Sequence, residues 1–535
     1  MKSLNINLEG VDFNTVVDEL NISLATLKNW IKAEYLIPLS DGQVTLDSFN
    51  NLKKNIIGKE KLTKRANKLY FDDTNTKSIK NKFLLQSQNM SSLEYENSLG
   101  RSYRNLHGIY YTPKHVINKM FEGIKVDINN KTFLDPCCGT GNFLLKALDL
   151  GFHPDNIYGF DLDKTAIKIA QDRIHSKYGF KLKNIKNSNF LDNFIHSSSV
   201  DTYDYIFTNP PWGSKYNRIE KGRYAEKLNN GIKADSSSFF TLGCIGSLNN
   251  NGVVGMLLPD SFFNISSFKS IREKVLTLNC VEFIDHGRSF EGLLTKAFSF
   301  VANKRQIEGG VKCLGKKFNF KRKQKDFLLT PDLIINFSVS QDEANTIRHL
   351  YSYKHKTLKN NATWALGIVT GNNAKFVLDY KFKDSIPVYK GKDVLNGGFK
   401  KPTNYAYKNL GLYQQVAKES FYKSKSKLIY KFISSNLVFA LDLKKRYPLN
   451  SANILIPDEK KIGVNNKQLE FLLNSKVINW IFNKTFNTHK VLRRNLEELP
   501  IFVDFFKENN LHYNDQILNS YLNIEESDGT FRVKK

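Results

Sequence analysis

Between Thr132 and Ala302 the chain alternates runs of β-forming residues with stretches of helical spacing, and this alternation restricts the fold more than any other feature. Seven strands are expected, at Thr132–Pro136, Asn156–Asp161, Ile185–Phe190, Tyr203–Thr208, Val253–Leu258, Val281–Asp285 and Ala297–Ala302. Helical stretches fill most of the gaps, among them Lys164–Ser176 and Ser261–Leu278. Parallel neighbours need a long crossover between them, so strand and helix in repetition predict a doubly wound α/β sheet with a Rossmann-like order. Only a short loop precedes the seventh run, which is therefore expected as an antiparallel addition.

The flanks differ from this centre. In residues 1–50, Val16, Val17, Leu20, Leu24, Leu27, Trp30 and Ile31 recur at helical spacing around Asn21-Ile22-Ser23. A small helical unit is expected, with Ser23 capping its second helix and Pro38 stopping it. It resembles a helix-turn-helix of the excisionase or MerR type, which would expose Ala25, Thr26, Lys28 and Asn29. Residues 51–105 look like a helical linker. The α/β region covers 106–310, a basic bridge of seven Lys/Arg follows at Lys312–Asp326, and residues 327–510 suffice for a mixed α+β domain before a tail at 511–535. With 79 Lys+Arg against 52 Asp+Glu the net charge is +27, the footprint of a chain that neutralises phosphates. No window approaches the apolar length of a membrane span, and five cysteines without zinc spacing are a poor disulfide framework. A cytoplasmic chain without a membrane or metal partner is expected.

Chemistry concentrates at the carboxyl ends of the expected strands. FLDPCCGTGNFL after the first strand holds Gly139 and Gly141, which let the backbone turn sharply and approach a ligand. About twenty residues later the second strand ends in Asp161 of YGFDLD, where a carboxylate can accept both hydroxyls of a ribose. The third glycine of a dinucleotide loop is missing, so S-adenosylmethionine fits better than NAD. The fourth strand ends in Asn209-Pro210-Pro211-Trp212. An aryl amine is a poor nucleophile, and acceptors aimed at its hydrogens localise its lone pair. Asn209 and Pro210 each offer a carbonyl, and Trp212 offers a face for a flat base. Pro136-Cys137 could be read as a covalent nucleophile of cytosine chemistry, but that dipeptide belongs after a fourth strand and here it precedes the glycine loop.

These motifs, with GIYYTP at Gly108–Pro113, SNFLD at Ser188–Asp192 and GVVGMLLPDSFF at Gly252–Phe263, make the chain similar to gamma-class adenine-specific DNA methyltransferases. In that group an S-adenosylmethionine domain precedes a target-recognition domain. The resemblance places Tyr110, Tyr111 and Thr112 over the cofactor, Cys137 and Gly139 at its methionine end with Asp135 just before them, and Gly141 among the cofactor-binding residues. It places Asp161 and Leu162 at the ribose, and Asn189 and Phe190 at the adenine. Asn189 stands where an Asp is usual, and weaker cofactor binding is expected from the change. Trp212 stands where Tyr or Phe is commoner, and Phe290 in GRSFEGLL is the candidate for the second face of a flipped base.

The activity implied is methyl transfer to the exocyclic amine of an adenine rotated out of double-stranded DNA. The C-terminal region would supply DNA contacts, with His489, Lys490, Arg493 and Arg494 as candidates. A separate restriction endonuclease is a possible partner. RNA or protein amide N-methylation is the alternative for this motif, and the 200-residue tail speaks against it.

Overall fold

The computed structural model describes residues 9–20, 22–32, 35–40, 42–56, 80, 92–99, 110–123, 128–196, 201–213, 216, 218–228, 235–290, 295–305, 309–509 and 512–534. Gly108, Ile109 and the side chains of Ala25 and Asn29 lie outside the described residues, as does most of the 51–105 stretch. The chain divides into two compact units: Met1–Asp260 with Thr277–Glu308, and Ser261–Leu276 with Gly309–Lys535.

In the first unit the N-terminal segment contains more than helices. Helices α1 (Phe13–Glu19), α2 (Leu24–Lys32) and α3 (Leu46–Asn51) accompany three short strands, β1 (Gly10–Asp12), β2 (Pro38–Ser40) and β3 (Gln43–Thr45). These strands pair in the order β1-β3-β2. Pro38 does not stop α2, which ends at Lys32; it opens the β2–β3 hairpin instead, an edge position where its missing N–H costs no ladder bond. Ser23 does cap α2, its hydroxyl accepting from the Thr26 N–H at 3.1 Å. Val16, Leu27, Trp30, Leu36, Val44, Phe49 and Leu52 form a core of their own.

The main sheet uses β4 (Phe133–Asp135), β5 (Ile157–Phe160), β6 (Asn184–Lys186), β7 (Tyr203–Thr208), β8 (Leu248–Pro259), β9 (Asn279–Asp285) and β10 (Ala297–Asn303). Within the first unit they run in the order β9-β10-β8-β7-β4-β5-β6. The pairs from β8 through β6 are parallel, and β10 is antiparallel to both neighbours, as the short loop before it implies. The strand order therefore reverses at β4, which opens a crevice beyond the carboxyl ends of β4 and β7. Helix α4 (Ser92–Ser98) precedes α5 (Lys114–Phe121) and α6 (Asn142–Asp149). The last two bury Val116, Ile117, Met120, Phe143, Leu144 and Ala147 against Phe133, Phe207 and Leu257 of the strands. Helices α7 (Lys164–Tyr178), α8 (Phe190–His196), α9 (Arg218–Lys227) and α10 (Ser236–Gly246) follow.

Two expectations need correction. The third strand is shorter than Ile185–Phe190, because Asn189 turns the chain: its Oδ1 accepts the Leu191 N–H at 2.9 Å and starts α8 at Phe190. The stretch Ser261–Leu278 is not one helix. Ile265 is extended (φ −80°, ψ 140°) and separates Asp260–Asn264 from the 3-10 turn at Ser266–Phe268 and the helix Lys269–Leu276.

The second unit contains a four-stranded antiparallel sheet in the order Ala362–Ala365, Ala452–Pro457, Lys427–Lys431, Phe439–Asp442. Helices Asn466–Asn474 and Lys476–Phe486 contribute to the core it shares. The basic bridge is itself structured, as the hairpin Gly310–Gly315 with Phe318–Lys323, whose alternation buries Val311, Cys313 and Arg322 and exposes Lys321 and Lys323. Arg272 explains why Ser261–Leu276 belongs to this unit. Fully buried, its guanidinium donates to the main-chain carbonyls of Phe262, Ile265, Asp332 and Leu333. No helix among the described residues is long and apolar enough to cross a membrane.

Candidate active site

The crevice beyond β4, β5 and β7 holds a cavity of about 340 Å³. Its lining includes Tyr110, Tyr111, Thr112, Asp135, Cys137, Gly139, Asp161, Leu162, Asn189, Phe190, Asn209 and Pro211, so residues far apart in the chain meet at one sheet edge. Gly141, Pro210, Trp212 and Phe290 do not line it. Gly141 caps α6 with φ 85°, and a Cβ there would stand 2.9 Å from that of Ala170. Gly139 has φ 50°, and a Cβ would meet the Tyr111 ring at 2.6 Å, so both glycines answer to backbone conformation and to space.

Asp161 organises the glycine loop. One oxygen accepts the Gly139 N–H and the other the Asp163 N–H, each at 2.8 Å. Each oxygen keeps a lone pair for a hydroxyl. Burial pushes this carboxyl up to about 6, and that of Asp135 up to about 7, where one oxygen accepts the Cys137 N–H at 3.1 Å. Asp163 caps α7 through its Oδ1, and its Oδ2 takes the Tyr95 hydroxyl at 2.7 Å and the Lys80 ammonium at 3.0 Å.

Asn209 stands at the end of β7 with its amide half satisfied. Nδ2 donates to the Tyr110 carbonyl at 2.8 Å, while the buried Oδ1 has no hydrogen-bond partner among the described residues. A buried acceptor without a donor is costly, and this one lies on a residue of the cavity wall. The following turn is clamped by Ser236, which is fully buried and donates to the Pro211 carbonyl at 2.6 Å. Trp212 is fixed by its indole N–H on the Leu257 carbonyl at 3.2 Å. Phe290 is 5% exposed and meets Trp212 edge-on, with ring centroids 5.3 Å apart at 82°, and Tyr110 at 5.9 Å.

Sequence reading missed Lys80, Asn142, Tyr216 and Phe240 in the cavity wall. Asn142 was legible as the first residue after the glycine loop: it donates to the Thr112 carbonyl at 2.9 Å and is held by Arg173. Tyr216 and Lys80 had no local signal. In the second unit Lys490 and His489 are exposed, but Arg494 is paired with Asp332 and Arg493 with Glu497 at 2.8 Å.

Glycine loop and strand order together define the fold of the S-adenosylmethionine-dependent methyltransferases. The N-6 DNA methylase family model matches residues 94–286, and the TaqI-like C-terminal specificity domain matches 386–501. The type II methyltransferase M.VspI of Vibrio sp. (strain 343) is 38% identical over 401 residues, 73% of this chain and 98% of the relative. The modification methylase CviBIII of Paramecium bursaria Chlorella virus NC1A is 29% identical over 202 residues, which cover 36% of this chain and only 48% of that protein. A solved DrdV–DNA complex shares the fold with a TM-score of 0.51 at 11% identity, covering 93% of this chain and 70% of that one. The chain belongs to the N-6 adenine DNA methyltransferases of the type II kind, with a TaqI-like specificity domain.

Proposed function

We propose that the chain transfers a methyl group from S-adenosylmethionine to the 6-amino nitrogen of an adenine rotated out of double-stranded DNA, as the modification half of a restriction-modification system or as a methylase acting alone. Residues 106–310 hold the chemistry and 327–510 read the DNA, in the cytoplasm of a bacterial cell. A partner endonuclease is compatible with this reading and not required by it.

The observation that supports it most directly is the buried, unpartnered Oδ1 of Asn209. An amide oxygen that has lost water and gained nothing fits an amine hydrogen. The donor set fits the cofactor as well. Asp161 offers two acceptor oxygens beside the glycine loop. When bound, the cofactor supplies an electrophilic methyl on a sulfonium. Asn209 Oδ1 and the Pro210 carbonyl would accept the two amine hydrogens and hold the lone pair toward that methyl. The surplus amine proton would leave to water. Trp212 would present the base platform, contributing about 1–3 kcal/mol. Rotating the base out costs a few kcal/mol, which DNA contacts of the second unit would offset.

The test is Asn209→Ala. Methyl transfer is expected to fall about a hundredfold to a thousandfold or more, while DNA retention in a gel-shift assay stays near wild type. Modified-base sequencing of DNA from expressing cells gives the methylated base. Full activity in the variant, or methyl groups on cytosine, would overturn the assignment.

A further inference from the structure

The departure at Asn189 has a physical partner in α9. Asn189 Nδ2 donates to the Tyr224 hydroxyl oxygen at 3.0 Å, and that hydroxyl donates to Asp192 Oδ1 at 2.9 Å. A hydroxyl has one hydrogen and an ionised carboxylate has none, so the chain has one polarity: Asn189 to Tyr224 to Asp192. Arg223 stands 3.6 Å from the same Asp192 oxygen. Tyr224 is buried, and burial raises its pKa, so it stays a donor. It is held by Tyr216 at 5.1 Å and Phe239 at 5.6 Å, both edge or tilted contacts. At the other end the Leu191 N–H, which only an oxygen can accept, meets Asn189 Oδ1 at 2.9 Å. Both contacts turn the amide the same way and leave a second Oδ1 lone pair on a residue of the cavity wall.

We propose that Tyr224 and Asp192 are positioning residues that fix the Asn189 amide with its oxygen available, so that the cavity selects a purine bearing a 6-amino group over one bearing a 6-oxo group. The inference rests on the cofactor reading above. It also accounts for Asn at this position. A carboxylate at 189 would compete with Asp192 for the single Tyr224 hydrogen and add a second negative charge one hydroxyl away. Asn189 and Asp192 thus form a matched set in which the charge sits one link outside the pocket.

Calorimetric binding of S-adenosylhomocysteine and its 6-oxo counterpart, S-inosylhomocysteine, to the full chain tests this without turnover. In Tyr224→Phe the preference for the 6-amino ligand is expected to fall about threefold to tenfold, the size of one lost hydrogen bond. Asn189→Asp is expected to weaken both ligands. Adding Asp192→Asn to it is expected to recover most of the loss, because the amide introduced at 192 can donate to Tyr224 while Tyr224 donates to the carboxylate introduced at 189. Each variant is measured well below its own thermal midpoint, and Asp192→Ala, at a half-exposed side chain, serves if Tyr224→Phe unfolds. An unchanged preference in Tyr224→Phe or Asp192→Ala, or a double variant no better than Asn189→Asp, overturns the proposal. If the wild-type chain binds neither ligand, the cofactor reading falls first and the proposal falls with it.

Discussion

The two units bury carboxyl groups in opposite ways. In the first, Asp135 and Asp161 accept main-chain N–H groups, and burial outweighs these bonds, and at Asp161 the nearby Lys80 charge as well, driving both toward the neutral acid, to about 7 and about 6. In the second, Asp442 is fully buried yet accepts from Lys427 Nζ at 2.6 Å, Arg446 Nη1 at 2.8 Å and the N–H groups of Lys444 and Arg446. Burial raises its pKa, but the Lys427 contact and these N–H groups outweigh that and hold the carboxyl below its usual range. One carboxylate is neutralised by two cations at hydrogen-bond distance, and the other two are dominated by burial.

Lys427→Met should break this comparison most forcefully. It removes one cation and leaves Asp442 buried, so denaturant unfolding of the second unit should lose about 3–5 kcal/mol. Asp161→Asn should do the reverse. Stability should move by less than about 1 kcal/mol, because a costly charge is removed along with its hydrogen bond, while S-adenosylmethionine affinity measured by calorimetry should fall about tenfold to a hundredfold. Equal loss of stability in both variants would erase the distinction.

The pH responses should also diverge. Asp135 and Asp161 have raised pKa values, so they stabilise the fold when protonated, and that contribution is lost as pH rises from about 4 through about 7. The Asp442 contribution is present above the ordinary carboxylate range and lost as pH falls below it. Amide exchange in the ligand-free chain, corrected for its intrinsic pH dependence, should therefore slow in Phe133–Asp135 between about pH 7 and about pH 5, with little change in Phe439–Asp442. Cationic S-adenosylmethionine should bind several-fold tighter as pH rises through about 6–7, with protons released, and S-adenosylhomocysteine less so. The smallest effect concerns the DNA candidates. Lys490→Ala should lower the salt slope of DNA binding by about one, whereas Arg494→Ala, which frees Asp332, should show in thermal stability instead.

The alternation from Thr132 to Ala302 announced the sheet because each strand is locally apolar and each crossover locally periodic. The place of Asn209 and Pro211 on the cavity wall was legible because their position after β7 follows from counting strands. Partners distant in sequence were illegible. Tyr224 sits on a helix of weak apolar patterning, 35 residues from Asn189, and nothing local marks its hydroxyl as spoken for. Nothing local marks Lys427 as core; the Asp442 carboxylate across the sheet and the Tyr422 carbonyl take its buried ammonium. Ser261–Leu276 looks like one more crossover helix, and its allegiance to the second unit depends on carbonyls at 332 and 333 meeting Arg272.

Asp163 has a consequence for genetics. Its Oδ1 caps α7, its Oδ2 receives Tyr95 and Lys80 from chain far upstream, and it stands in the cavity wall. Helix start, upstream anchor and pocket thus converge on one side chain. An inactive allele there would be a compound lesion, with three defects that no single substitution can separate.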